Sequence, residues 1–295
     1  MKVITDHTLG FLYLQQYISN RFEEDKPFFI GRLSGNETRL AGLVVNKRLP
    51  EQSLIYKMLT GAGIRLNNVT DMIDYVNIYN NAIMNSNCLG VWDGMMYKQA
   101  EEYYKYLDVA YKKQCFMAQS LETFYYMGDD KYRMNEVFTG KRIAIISSHK
   151  SSIEEQIRSG KFMTVFDKPI FGEGCEFTVI RPPVQLGDSS DGRSWESHFN
   201  EFKERLRDEI GGSKKYNLVL ASCGGFGMPI CDFIYSELKT SVIYVGGALQ
   251  LFFGVRGKRW ETNEKIRTHF RDGWIDVMDE DIPVGKEKAE GGCYW

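Results

Sequence analysis

The spacing of apolar residues changes several times along the chain, and each change marks an element. From about Thr8 to Phe22, Leu9, Leu12, Tyr13 and Tyr17 recur at helical spacing and predict an entry helix. Phe28 to Ile30 is a short buried strand. A small-residue turn, Gly31 to Glu37, follows it, and Leu40, Leu43 and Val44 then return to helical spacing. Pro50 opens a helix with Leu54, Met58 and Leu59 that Gly61 and Gly63 stop. Asn68 or Thr70 caps a longer helix through Met84. Cys88 to Val91 predicts a strand ending in Trp92-Asp93-Gly94, and a tyrosine-rich helix fills about Tyr97 to Tyr111.

The second half repeats the alternation more clearly. Arg142 to Ile146 is the strongest central strand and runs into Ser147 to Ser152, then a short helix to about Arg158. Phe177 to Ile180 is a strand broken by Pro182-Pro183. The polar loop through Gly187 to Gly192 reads as mobile, and Trp195 to Ile210 as a charged amphipathic helix. From Asn217 to Trp260 the order is strand (Leu218 to Ala221), glycine turn, helix (Ile230, Phe233, Ile234, Leu238), strand (Val242 to Val245), glycine turn, apolar helix (Ala248 to Phe253). Strands joined by crossover helices predict an α/β fold: a Rossmann-like open, mainly parallel sheet flanked by helices. No linker divides it, so residues 1–295 read as one domain, with a helical part over about 1–26 and a polar, weakly ordered tail over about 285–295.

Composition narrows the class. With 43% hydrophobic residues in 295, a large core is affordable, and a net charge of −2 argues against a nucleic-acid surface. The six cysteines form no CxxC pair and read as reduced thiols, which with no leader-like start points to a cytoplasmic protein. No apolar stretch approaches the roughly 20 residues of a membrane span.

Chemistry gathers where strands end, the place an open α/β sheet uses for ligands. Gly224, Gly225, Gly246 and Gly247 can let backbone approach a nucleotide, with Gln250 a first-turn amide within reach of a base or ribose. Arg32, Ser34, Asn36 and Glu37 can hold a sugar hydroxyl, a phosphate or a metal ion; the plain alternative is a helix cap with a favourable first-turn charge. Lys150 and Ser151 can hold phosphate oxygens, and His149 can move a proton near neutral pH. Asp93 is a base, a sugar ligand or a turn residue. There is no P-loop spacing, no early Gly-x-Gly-x-x-Gly and no metal-ligand spacing among the histidines.

The order of these pieces resembles the GT-D type glycosyltransferases. Phe28 to Glu37 looks like their early strand with its Arg and Asp-x-Glu turn. Ile143 to Ser152 looks like their middle phosphate turn, and Leu218 to Gly247 their last strand–turn–helix–strand. The run GGALQLFFGVRGKRW looks like polysaccharide-biosynthesis proteins of bacteria and large DNA viruses. The resemblance implies a hexosyl- or pentosyltransferase that moves a sugar from a nucleotide-diphosphate donor, a UDP-sugar ahead of a GDP-sugar, to a glycan acceptor. It also allows a homodimer. Arg32, Asn36, Lys150, Ser151 and the four turn glycines would bind donor, and Glu37, Asp93 or His149 would serve the acceptor hydroxyl. A divalent ion, Mn²⁺ or Mg²⁺, is implied on Glu37, although Gly35 stands where the family has Asp. The alternatives are a nucleotide- or sugar-binding protein without turnover on the same fold, and a methyltransferase. The latter fits less well because the strand after the glycine turn ends in Gly246-Gly247, not an acid.

Overall fold

A computed structural model describes residues 2–92, 101–122, 134–211 and 216–295. Among these, eight strands form one all-parallel sheet: β1 (Lys2–Ile4), β2 (Phe29–Arg32), β3 (Cys88–Val91), β4 (Gln114–Met117), β5 (Arg142–Ser147), β6 (Glu176–Ile180), β7 (Leu218–Ser222) and β8 (Val242–Tyr244). Their spatial order is β1-β4-β3-β2-β8-β7-β5-β6. One half of the sheet is thus built from the first four strands and the other from the last four. They meet only where Phe29 and Ile30 pair with Val242 and Ile243.

Side chains alternate between the faces, as the period of two in a strand requires. Phe29, Leu89, Ala144, Val219 and Val242 pack on one face against α2 (Gly35–Val45), α3 (Gln52–Thr60), α4 (Val69–Asn85), α5 (Glu101–Ala110), α8 (Trp195–Glu209) and α9 (Gly227–Ser236). Ile30, Cys88, Ile143, Leu218 and Ile243 pack on the other against α1 (His7–Glu23), α6 (Met134–Phe138), α7 (Lys150–Arg158) and the apolar run Gly247–Phe253. Both faces are covered, so the central strands are apolar on both sides.

Local chemistry sets the helix starts. The Asp6 carboxylate accepts the Leu9 N–H at 2.8 Å to begin α1, and Asn68 accepts the Asp71 N–H at 2.9 Å to begin α4. Ser194 does the same for α8.

Four expectations need correction. Residues 2–4 are not part of a helical lead-in. They form edge strand β1 against β4, and both strands are too short to carry a periodic signal. The run Gly247–Phe253 is a 3₁₀-helix, not an α-helix, entered through Gly246 at φ 76° and left through Gly254 at φ 69°. The 187–192 loop is tied down: the Gly187 N–H donates to the Thr60 carbonyl at 3.1 Å and the Asp188 N–H to the Val284 carbonyl at 2.9 Å. The polar tail folds back onto the sheet edge, with Trp295 only 7% exposed and its Nε1 donating to the Asp281 carbonyl at 3.1 Å. Aromatic anchors, not average polarity, decide whether such a segment docks.

Among the described residues no helix is long and apolar enough to cross a membrane.

Candidate functional site

Departures to opposite faces open a cleft at the carboxyl ends of the strands. β2 and β7 lead to helices on one face, while β8 between them leads to the other; β5 and β6 diverge likewise. The turns after β2, β5, β7 and β8 therefore meet around one cavity of about 300 Å³. Pro182 and Pro183 after β6, Gly61 to Gly63 after α3 and the segment Ala289 to Trp295 complete its wall.

Arg32 and Glu37 stand in this wall. Arg32 is the last residue of β2 rather than a turn residue, and its side chain is 13% exposed. Its Nη2 donates to Glu122 Oε1 at 3.0 Å, and its guanidinium lies over the Trp92 ring at 4.7 Å. Glu37, read as the end of a small-residue turn, is the third residue of α2. It is buried at 5%, because Tyr75, Tyr79 and Tyr244 pack around the first turn of α2. Burial pushes its carboxyl up; its own backbone N–H and the Ser34 hydroxyl pull the other way, and Glu290 across the cleft adds to the rise. Asn36 lines the cleft beside it.

His149 lines the cleft with its ring buried. Its Nε2 lies 3.3 Å from the Tyr294 carbonyl, which can only accept, so Nε2 carries the proton. Trp295 packs beside the ring at 6.1 Å. Desolvation holds the imidazole pKa down to about 4, against smaller raising contributions from Asp281 and the Tyr294 carbonyl.

The phosphate roles expected of Lys150 and Ser151 do not fit this geometry. Lys150 pairs with Glu154 at 3.5 Å and does not line the cleft. The start of α7 is already occupied by a protein carboxylate. Asp281 accepts the Ser151 N–H at 3.1 Å, the Ser152 N–H at 2.7 Å and the Ser152 hydroxyl at 2.7 Å. Arg181 closes the group, with Nη2 at 2.6 Å from Asp281 and 3.1 Å from Ser151 Oγ.

The turn glycines make room for the protein itself. A Cβ on Gly246 would collide with Arg32 Nη1, and one on Gly247 with the Tyr294 ring, so a Gly247 side chain would meet Tyr294 before any ligand. A Cβ on Gly224 would approach the Ala62 carbonyl at 2.8 Å, while the Gly225 N–H donates to that same oxygen at 2.8 Å. The Gly224 and Gly225 carbonyls accept from Tyr244 and Tyr75, each at 2.8 Å. Gln250 is 1% exposed and lies behind the cleft wall, donating to the Tyr294 carbonyl at 3.2 Å. Asp93 lies outside the described residues.

Several wall residues carried no readable signal. Tyr244, Glu290 and Tyr294, and Glu122 behind Arg32, sit in no motif, and only the fold brings them to the strand ends. Arg259 Nη1, 2.6 Å from the Tyr294 hydroxyl and 3.4 Å from Glu290, ties this late segment to the wall. Burial pushes the Cys223 thiol up to about 12, so it faces the cleft protonated and poorly nucleophilic.

The donor set does not fit a divalent ion. Glu37 bonds Ser34 and its own N–H, Gly35 offers no side chain, and among the described residues no three His, Cys, Asp or Glu side chains converge. No family model, curated protein or solved structure matches the chain.

Proposed function

We propose that the cleft takes a nucleotide-diphosphate sugar and that the protein transfers the sugar to a glycan acceptor. One observation carries the reading: the strand-end turns converge on a cleft where a desolvated carboxylate, Glu37, shares the wall with a guanidinium, Arg32. In the transfer, an acceptor oxygen bonds to the anomeric carbon as the bond to the diphosphate oxygen breaks. The electron pair leaves on the diphosphate, whose charge Arg32 and the Asn36 amide can meet. The hydroxyl proton passes to Glu37, whose carboxyl is held by burial above the ordinary carboxylate range. His149, neutral and buried, orients the wall through Tyr294.

The test is release of nucleoside diphosphate from a panel of UDP-sugars, then GDP-sugars, with mixed glycan acceptors. Glu37→Gln should lower transfer by about 10²–10⁴-fold, the usual worth of a positioned base. Its melting temperature should stay level or rise, because a buried charge is removed. Transfer at the wild-type rate would refute the assignment. A binding protein without turnover is the second reading. It is favoured by the Arg32–Glu122 pair, which already neutralises the cation of the cleft, and tight donor binding with no release would select it.

A further inference from the structure

The cleft changes character along its length. It crosses the ends of β2, β8, β7, β5 and β6 in that spatial order, a span of roughly 19 Å at the usual strand spacing. At the β2 end its wall carries Arg32, Asn36 and the buried Glu37. The Arg32 guanidinium lies over the end of β8, because Nη1 takes the space a Cβ on Gly246 would need. In the middle stand two hydroxyls. Ser222 ends β7 and Ser148 follows β5; both are half-buried and have no side-chain hydrogen-bond partner among the described residues. Just past β6 the half-buried Pro183 and Val184 make the wall apolar.

Beside the apolar end one buried polar group is unmatched. His149 is 4% exposed, and its Nε2 proton goes to the Tyr294 carbonyl. Nδ1 is left with a lone pair and no donor among the described residues. A buried acceptor without a donor costs free energy that a ligand N–H can recover.

We infer that the nucleotide lies along the strand ends with its base past β5 and β6, and that His149 Nδ1 accepts the ring N–H of a uracil or guanine base. The placement rests on the nucleotide-sugar reading and gives the donor a direction and a base class. The flat base covers Pro183 and Val184, and the ribose meets the serine hydroxyls. The outer phosphate reaches Arg32 over β8, and the sugar reaches Glu37. The reverse direction would set the sugar against the apolar wall and hold its anomeric carbon far from Glu37. Because Nδ1 accepts and does not donate, it favours a base whose ring nitrogen carries a proton. Uracil and guanine have one. Cytosine and adenine present a lone pair at the matching ring nitrogen, and two lone pairs repel.

The experiment is calorimetric titration of the whole chain with UMP, GMP, CMP and AMP. UMP or GMP should bind about tenfold or more tighter than CMP and AMP, and methylation of its ring N–H, as in 3-methyl-UMP or 1-methyl-GMP, should weaken it by a similar factor. That comparison needs no variant. His149→Phe keeps a ring beside Trp295 and should erase the preference for the parent nucleotide over the methylated one. Asn36→Ala should weaken UDP-glucose or GDP-mannose and leave the monophosphates unchanged. No binding by any monophosphate, CMP or AMP bound as tightly, a methylated nucleotide bound as tightly as its parent, or a monophosphate weakened by Asn36→Ala overturns the inference. Selective binding of UMP or GMP without sugar transfer keeps the base site and rejects the transferase. Transfer from a CDP- or ADP-sugar as readily as from a UDP- or GDP-sugar does the reverse.

Discussion

Lowering the pH from 7 to 5 should cost the fold about 2 kcal/mol through His149 alone. The imidazole is buried against Tyr294 and Trp295, and desolvation holds its pKa at about 4 instead of 6.5. The unfolded chain therefore binds a proton on this residue between those values while the folded one does not. Stability is complete above about 6.5 and is lost as the pH falls towards 4, for a total of about 3 kcal/mol over the window. Glu37 and Glu122 act in the opposite sense. Burial raises both, so their folded forms take up protons first and acidification relieves their strain. The overall pH profile thus mixes two signs, and the diagnostic quantity is the difference from His149→Gln. Glutamine can keep a donor towards the Tyr294 carbonyl but does not titrate. Urea midpoints for both proteins at pH 7 and 5 should show the wild type losing about 2 kcal/mol more than the variant. Exchange of the amide protons in residues 289–295 should quicken in the wild type only. Parallel profiles for the two proteins would refute a desolvated, neutral His149.

Two further outcomes follow from buried charge. Arg32→Ala should destabilise by about 3–5 kcal/mol, because Glu122 is left desolvated without its cation, and adding Glu122→Gln should recover part of the loss; melting temperatures of the single and double variants decide it, and a single variant as stable as wild type refutes it. Asp281→Ala should cost about 2–3 kcal/mol, since two N–H groups of α7 lose their acceptor and the partly exposed Arg181 its partner. It should also unfasten residues 279–295, so limited proteolysis there should accelerate; an unchanged cleavage rate would show that the segment is held by its aromatic residues instead.

Strongly patterned elements were legible in the chain. Arg142 to Ile146, Leu218 to Ala221 and Cys88 to Val91 stand as strands within a residue of where apolar runs and glycine turns put them, and Asn68, one of the two residues read as a cap, caps its helix. The meeting of the strand-end turns followed from topology, because parallel strands put every outgoing turn on one edge. The use of the glycines did not follow. A glycine signals only that something comes close, and here the visitors are Arg32, Tyr294 and the Ala62 carbonyl, from distant stretches. Glu37 was misjudged for the same reason: its cover comes from Tyr75, Tyr79 and Tyr244, which no local spacing connects to it. Asp281 escaped notice because an acid within Asp279–Asp281 looks like solvated surface until Arg181 and the start of α7 are placed beside it.

The single seam between β2 and β8 bears on how the chain reaches this state. Each half of the sheet comes from a contiguous stretch, so every pairing within a half closes a shorter loop than the one from Phe29 to Val242. The seam joins residues 29 and 30 to 242 and 243 and has to wait for most of the chain to be synthesised. Until then β2, whose Phe29 and Ile30 end fully buried, presents an unpaired apolar edge to any other nascent copy. The cleft straddles the same joint, with Arg32 and Glu37 on one side and His149 and Gly246 on the other. The cleft is therefore completed only at the last step of assembly, and a half-made chain carries the aggregation hazard without it.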